Sequence, residues 1–161
     1  MSTAGVFSGR EIAQMAIQME QSGYGFYSAA AEAASHPEVR KLLEWLSGQE
    51  RLHERIFRDM LPTIPEHRPP EEYDGQRAEF IQFLLDTRVL PDIASGERAL
   101  ARMSSDDEVL DYALGFEKDT ILFLYEMRDL VPSGQAAQVD RLLTEEKGHV
   151  QRLSAMKHEA C

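Results

Sequence analysis

Two short stretches of the chain pair a carboxylate with an imidazole at helical spacing. Gln49-Glu50-Arg51-Leu52-His53 contains one Glu-x-x-His, and Glu146-Lys147-Gly148-His149 contains another. Residues three apart on an α-helix lie on one face about a turn apart. Each motif therefore aims a carboxylate and an imidazole at a common point. One such pair is weak evidence, because charged residues are common on helices and most face water. Here each pair is preceded by a further glutamate at nearly the same distance: Glu20 stands 30 positions before Glu50, and Glu117 stands 29 before Glu146.

The midpoints of these intervals are Ser35-His36-Pro37 and Val131-Pro132-Ser133-Gly134, and both carry helix-breaking and turn chemistry. A helical hairpin folded at each midpoint returns each glutamate level with its Glu-x-x-His. The roughly 15 residues on either side of a turn set that level about 22 Å from it. Four glutamates and two histidines then meet at one height inside a four-helix bundle. That is the pattern of carboxylate-bridged dinuclear iron or manganese sites: one Glu from each of two helices and a Glu-x-x-His from each of the other two. Four carboxylates and two neutral imidazoles balance two divalent ions, whereas without metal the buried carboxylates repel and take up protons. Oxygen and imidazole donors suit iron or manganese better than thiophilic metals.

At 161 residues the chain makes one domain large enough for a real core. Its net charge of −11 argues against nucleic acid and anionic membrane surfaces as partners. No apolar run approaches a membrane span. Met1-Ser2-Thr3-Ala4-Gly5-Val6-Phe7 lacks the basic and apolar regions of a signal peptide. Cys161 is the single cysteine, which excludes an internal disulfide and any multi-cysteine metal site. A reducing, cytoplasmic setting fits.

The elements that must position the site follow from pattern. Ser8 with Glu11 forms a capping-box signature before a first helix over about 9–34. Its stripe is Ile12, Met15, Ala16, Met19, Tyr27 and Ala30, with Met15 and Met19 read as core rather than ligands. Pro37 opens a second helix over about 37–60, with Leu42, Leu43, Trp45, Leu46, Leu52, Ile56 and Phe57 expected on its buried side. His36 is expected at the surface. Pro62, Pro65, Pro69 and Pro70 make 61–74 a loop, which contains a solvated His67. Helix is expected again over 75–89, with Phe80, Ile81, Phe83 and Leu84 apolar, ended by Pro91. A short helix follows near 93–103. The third bundle helix runs from after Ser105 to about Leu130, and the fourth from about 134 to 158, with His158 near its end. The crossover, about 61–104, must span the bundle because the second and third bundle helices run parallel. Gly23, Gly25, Gly48, Gly115 and Gly148 fall inside helices, each costing about 1 kcal/mol relative to alanine. Close helix packing and room beside the metals account for them equally well.

With these residues in place the chain resembles the ferritin-like superfamily, and most of all its rubrerythrin branch. The resemblance is carried by Met19-Glu20-Gln21-Ser22-Gly23-Tyr24-Gly25-Phe26-Tyr27, by Gln49 to His53, by Phe116-Glu117-Lys118-Asp119-Thr120-Ile121-Leu122-Phe123-Leu124-Tyr125 and by Glu145 to His149. It covers all four bundle helices but not the crossover, and it is more specific for the site than for the reaction. It implies an all-α, ferritin-like bundle of two helical hairpins joined by a long, partly helical crossover. It implies Glu50 and Glu146 as bridging ligands, Glu20 and Glu117 as terminal carboxylates, and His53 and His149 as terminal imidazoles. Tyr27 and Tyr125 resemble tyrosines beside the cluster, though each also reads as an ordinary core tyrosine. Gln49 and Glu145 are placed to accept the outer ring N–H of the histidines, or to face solvent. Two departures stand out. Rubrerythrins proper carry an extra glutamate one turn after the third-helix ligand, where this chain has Thr120, with Gly23 as the pseudo-symmetric counterpart. A rubredoxin-like module commonly follows in that branch; none is expected for this chain, and electrons are expected from another protein.

The leading expectation is a redox enzyme holding two iron ions, with manganese or another divalent metal as the alternative. It would reduce hydrogen peroxide or dioxygen with electrons from an external, rubredoxin-like donor, and a homodimer is expected. The second reading is iron oxidation and storage, and the third a metal-free helical interaction module.

Overall fold

A computed structural model of the chain describes residues 7–66, 75–84, 86 and 93–160. Four long helices form the body: α1 (Gly9–Ala33), α2 (Pro37–Met60), α5 (Asp106–Leu130) and α6 (Ser133–Ala160). Two short helices, α3 (Gly75–Leu84) and α4 (Ile93–Leu100), lie in the crossover, and a single 3-10 turn, Leu61–Thr63, follows α2. His67, Pro69, Pro70, Pro91 and Cys161 lie outside the described residues, as do the start of the chain and most of the stretch between α3 and α4.

The helix ends follow their local chemistry. Ser8 and Glu11 form the reciprocal capping box at α1, worth about 1 kcal/mol. His36, exposed as expected, has a further role: its Nδ1 accepts from the Glu38 amide and caps α2, while Pro37 takes the first helical position. Ser105 caps α5, and Asp106, Asp107 and Glu108 fill the first turn, where the helix dipole favours anions. Asp106 also accepts from the backbone N–H groups of Ser35 and His36, tying the α1–α2 turn to the start of α5.

Around the bundle the order is α1, α2, α6, α5. Both hairpins are antiparallel. Phe26 packs on Tyr112 at one end of the α1–α5 pair, and Gly9 approaches Leu130 at the other, so those helices also run antiparallel. Gln135 meets Thr63 while Trp45 meets His149, which gives α2 and α6 the same relation. The diagonal pair α2 and α5 is therefore parallel, and the crossover between them is long enough to span the bundle. Its helices pack outside the bundle: Arg77 of α3 pairs with Glu126 and Asp129 of α5, and Gly96 of α4 sits against Phe26 of α1.

The core runs the length of the bundle through Ile12, Met19, Phe26, Leu43, Leu46, Phe57, Leu110, Phe123, Leu142 and Leu153. Each large apolar side chain buried in this way contributes about 1.5–3 kcal/mol. Two residues expected in it lie outside: Trp45 is 38% exposed and Leu52 is 48% exposed. Phe83 of α3 is exposed as well.

Candidate metal centre

At the middle of this apolar column the packing gives way to six polar side chains. Glu20, Glu50, His53, Glu117, Glu146 and His149 are each at most 1% exposed. α1 and α5 supply one glutamate each, and α2 and α6 supply the Glu-x-x-His pairs. The donor atoms fall into two overlapping groups, each within 4.8 Å: Glu20, Glu50, His53 and Glu146 in one, and Glu50, Glu117, Glu146 and His149 in the other. Glu50 and Glu146 belong to both. His53 Nδ1 lies 2.8 Å from Glu146 Oε1 and 3.7 Å from Glu20 Oε2. His149 Nδ1 lies 2.8 Å from Glu146 Oε2 and 3.6 Å from Glu117 Oε1. The two imidazoles stack with centroids 5.4 Å apart.

The 2.8 Å contacts of Glu146 with the two Nδ1 atoms are close but lack the geometry of hydrogen bonds, and atoms facing this centre are without hydrogen-bond partners. They include both Glu20 oxygens, both Glu146 oxygens, Glu50 Oε1, Glu117 Oε2 and the Nδ1 atoms of both histidines. Buried polar atoms are almost always paired, so a cluster this concentrated marks a place where cations complete the bonding. The donor set, four carboxylates and two imidazoles, fits two divalent ions in charge and in chemical type.

Without metal the cluster protects itself with protons. Burial, reinforced by the neighbouring carboxylates, pushes Glu50 well above the usual range, and burial raises Glu20. Burial together with the Glu146 charge pushes Glu117 up to about 8. Burial opposes charge on both histidines. Glu146 and Glu20 outweigh it at His53, pushing it up to about 12, and Glu117 and Glu146 push His149 up to about 9. Glu146 is the exception: burial would raise it, but the two histidines hold it well below the usual carboxylate value.

The surroundings sort the remaining candidates. Tyr27 is fully buried and donates to Glu117 Oε1 at 2.5 Å. Burial and the nearby glutamates raise its hydroxyl well above 10, so it keeps its proton. Tyr125 is a correction: it is 44% exposed and accepts from Lys147 Nζ at 2.7 Å, away from the centre. Glu145 Oε2 lies 2.9 Å from His53 Nε2, where it fixes the ring with Nδ1 facing inward. Gln49 is half-buried beside a cavity between α2 and α6. Thr120 is buried with an unpartnered hydroxyl one turn beyond Glu117.

Gly23 is the glycine whose role the geometry decides. A Cβ there would lie 2.2 Å from Glu50 Oε2 and 2.9 Å from Phe116 Cε1. Its missing side chain is filled by a carboxylate of the cluster. At Gly48 and Gly148 a Cβ would meet nothing within 4 Å, so neither close packing nor space beside the centre explains those two. One contact was not foreseen: Trp45, expected in the core, sets its ring edge-to-face against His149 at 5.3 Å.

Fold and site together define a helical bundle built around a carboxylate–histidine centre with room for two cations. The chain belongs to the rubrerythrin family, whose model matches residues 11–157. It is also similar to a solved structure from Thermotoga maritima, provisionally described as a ferritin-like diiron-carboxylate protein. That likeness has a TM-score of 0.71 and 27% identity, and it covers 96% of this chain and 97% of the other. Among curated proteins none matches the chain significantly.

Proposed function

We propose that the chain is a di-iron carboxylate oxidoreductase that reduces hydrogen peroxide or dioxygen with electrons from an external donor protein. The observation that carries this reading is the pair of overlapping four-donor groups sharing Glu50 and Glu146. The description of the Thermotoga maritima neighbour as a diiron-carboxylate protein supports iron as the metal. A homodimer in a reducing, cytoplasmic setting belongs to the same proposal.

In this reading two iron ions would be held by the six side chains, with Glu50 and Glu146 common to both donor groups. Glu20 and His53 would complete one group, and Glu117 and His149 the other. When bound, two iron ions supply the electrons and polarise the O–O bond. The protein does the rest. Burial of all six donors excludes bulk water, which strengthens each electrostatic contact inside. Glu145 holds His53 in the tautomer that leaves Nδ1 free to bind. Tyr27 holds Glu117 Oε1 and keeps a proton at that point. The Thr120 hydroxyl offers a buried hydrogen-bonding group where rubrerythrins proper carry a carboxylate.

The test is a single turnover. Metal-free protein is reloaded anaerobically with ferrous iron and mixed with hydrogen peroxide, and absorbance and residual peroxide are followed. Loss of one peroxide per two ferrous ions oxidised supports the proposal. Ferrous protein that ignores peroxide and dioxygen alike contradicts it.

A further inference from the structure

The cluster is sealed on all sides, yet electrons must cross its wall. The centre meets a cavity of about 210 Å³ between α2 and α6, lined by Trp45, Gln49, Glu145, Gly148, His149 and Arg152. His149 forms part of its wall. His53 reaches it through Glu145, whose side chain is 50% exposed. Gly148 adds no side chain that would close it.

Trp45 is the only tryptophan in the chain. It is 38% exposed, and its ring meets that of His149 edge-to-face, with centroids 5.3 Å apart and planes at 84°. Such edge contacts are favourable and hold both rings in place. The Arg152 guanidinium lies 4.6 Å from the ring centroid, a cation–π contact that fixes the indole further. Trp45 therefore forms an unbroken aromatic contact from solvent to a proposed metal ligand. Tyr125, also exposed, is engaged by Lys147 instead. Tyr27 touches the centre but is fully buried.

We propose that Trp45 is the electron-entry relay of this protein, and that a one-electron donor delivers its electrons at the Trp45–Arg152 face. Tunnelling falls off steeply across non-bonded gaps, and this route has the indole and the imidazole in van der Waals contact. For each electron passed, the donor is oxidised by one unit and one ferric ion becomes ferrous. No bond is made or broken, and neither ring changes its protonation. The positive charge of Arg152 opposes loss of an electron from the indole, so the ring conducts without being consumed.

The relay rests on the dinuclear iron reading, so metal content is measured on every sample, and loss of iron is scored against that reading rather than against the relay. Ferric-loaded protein is mixed in stopped flow with reduced methyl viologen, a planar one-electron donor too large to enter the bundle. The variants are Trp45→Phe, Trp45→Leu and, two turns along the same helix, Leu52→Ala. At equal iron content, wild type, Trp45→Phe and Leu52→Ala should keep the fast reduction phase and Trp45→Leu should lose it. The rate at which peroxide oxidises the ferrous form should stay unchanged throughout, which a merely structural loss would not allow. Undiminished reduction of Trp45→Leu, or an equal loss in Leu52→Ala, overturns the relay. A second readout needs no variant: the emission of the single tryptophan should collapse when metal-free wild type is loaded with iron. Emission as bright as in the metal-free protein would show that Trp45 is electronically remote from the site, and it overturns the proposal by itself.

Discussion

Replacing Gly23 with alanine places one methyl group where the structure has a carboxylate. The new Cβ would sit 2.2 Å from Glu50 Oε2. Ordinary contact needs about 3.5 Å, so the carboxylate must retreat by more than about 1 Å. It cannot do so freely, because Glu50 is shared by both donor groups. Phe116 Cε1 lies 2.9 Å from the same point, so that ring must give way as well. Helix propensity works in the opposite direction, since alanine is better than glycine by about 1 kcal/mol in a helix interior. Overpacking typically costs about 1–3 kcal/mol, so the metal-free variant should lose no more than about 2 kcal/mol net. The damage should fall on metal binding, by about 10- to 100-fold in affinity, as when a group that orients a ligand is lost. Isothermal titration with ferrous or cobaltous ion measures this directly. Gly48→Ala and Gly148→Ala serve as controls: with nothing within 4 Å of either new Cβ, both should bind metal normally and melt slightly higher. Wild-type affinity and stoichiometry in Gly23→Ala would refute the claim that the glycine exists to admit Glu50.

Other expectations follow from the same geometry. Tyr27→Phe removes the donor to Glu117 Oε1 and leaves a buried carboxylate short of a partner; chemical denaturation of metal-loaded protein should show a loss of about 1–3 kcal/mol. Tyr125→Phe alters a largely exposed residue and should stay within about 0.5 kcal/mol of wild type in the same assay. In the metal-free protein Glu117 and His149 hold protons more tightly folded than unfolded, about 8 against 4.5 and about 9 against 6.5. Their stabilisation is complete below the unfolded values and is lost as pH rises through the folded ones. Glu146 works the other way, but its window lies below 4.5. Thermal melts between about pH 6 and pH 9 should therefore show the metal-free form weakening while the loaded form, whose ligands have already lost their protons, does not. A flat profile for the metal-free form would contradict the assigned protonation.

Much of this site was legible because spacing alone carries it. Glutamates and Glu-x-x-His motifs at matched distances from two turn signals can meet only in a double hairpin, and the residues that break the helices, Pro37 and Pro132, lie where the structure turns. Where residue type alone misplaced a side chain, helical angle accounts for it. Tyr27 stands seven residues after Glu20, about 20° round the helix, and reaches the centre. Tyr125 stands eight after Glu117, about 80° round at roughly 100° per residue, and points to solvent. Trp45 and Leu52 are apolar, but at that same rotation they lie about 140° and about 160° from Glu50, so apolarity misplaced them in the core. The role of Gly23 depends on what stands opposite it across the bundle, and no single-helix pattern reports that. The contact of Trp45 with His149 is likewise a fact of tertiary packing, as is the exposure of Phe83 on a crossover helix whose seat on α5 the sequence did not specify.

The central claim is that Glu20, Glu50, His53, Glu117, Glu146 and His149 hold two metal ions between them, with Glu146 shared by both. Metal bound per chain, measured by elemental analysis after anaerobic loading and desalting, tests it most directly when wild type is compared with Glu146→Ala. Two ions per wild-type chain and none retained with comparable affinity in a folded Glu146→Ala variant is the predicted result. A wild type that retains no metal, or a Glu146→Ala variant that still holds two ions as tightly, would contradict it.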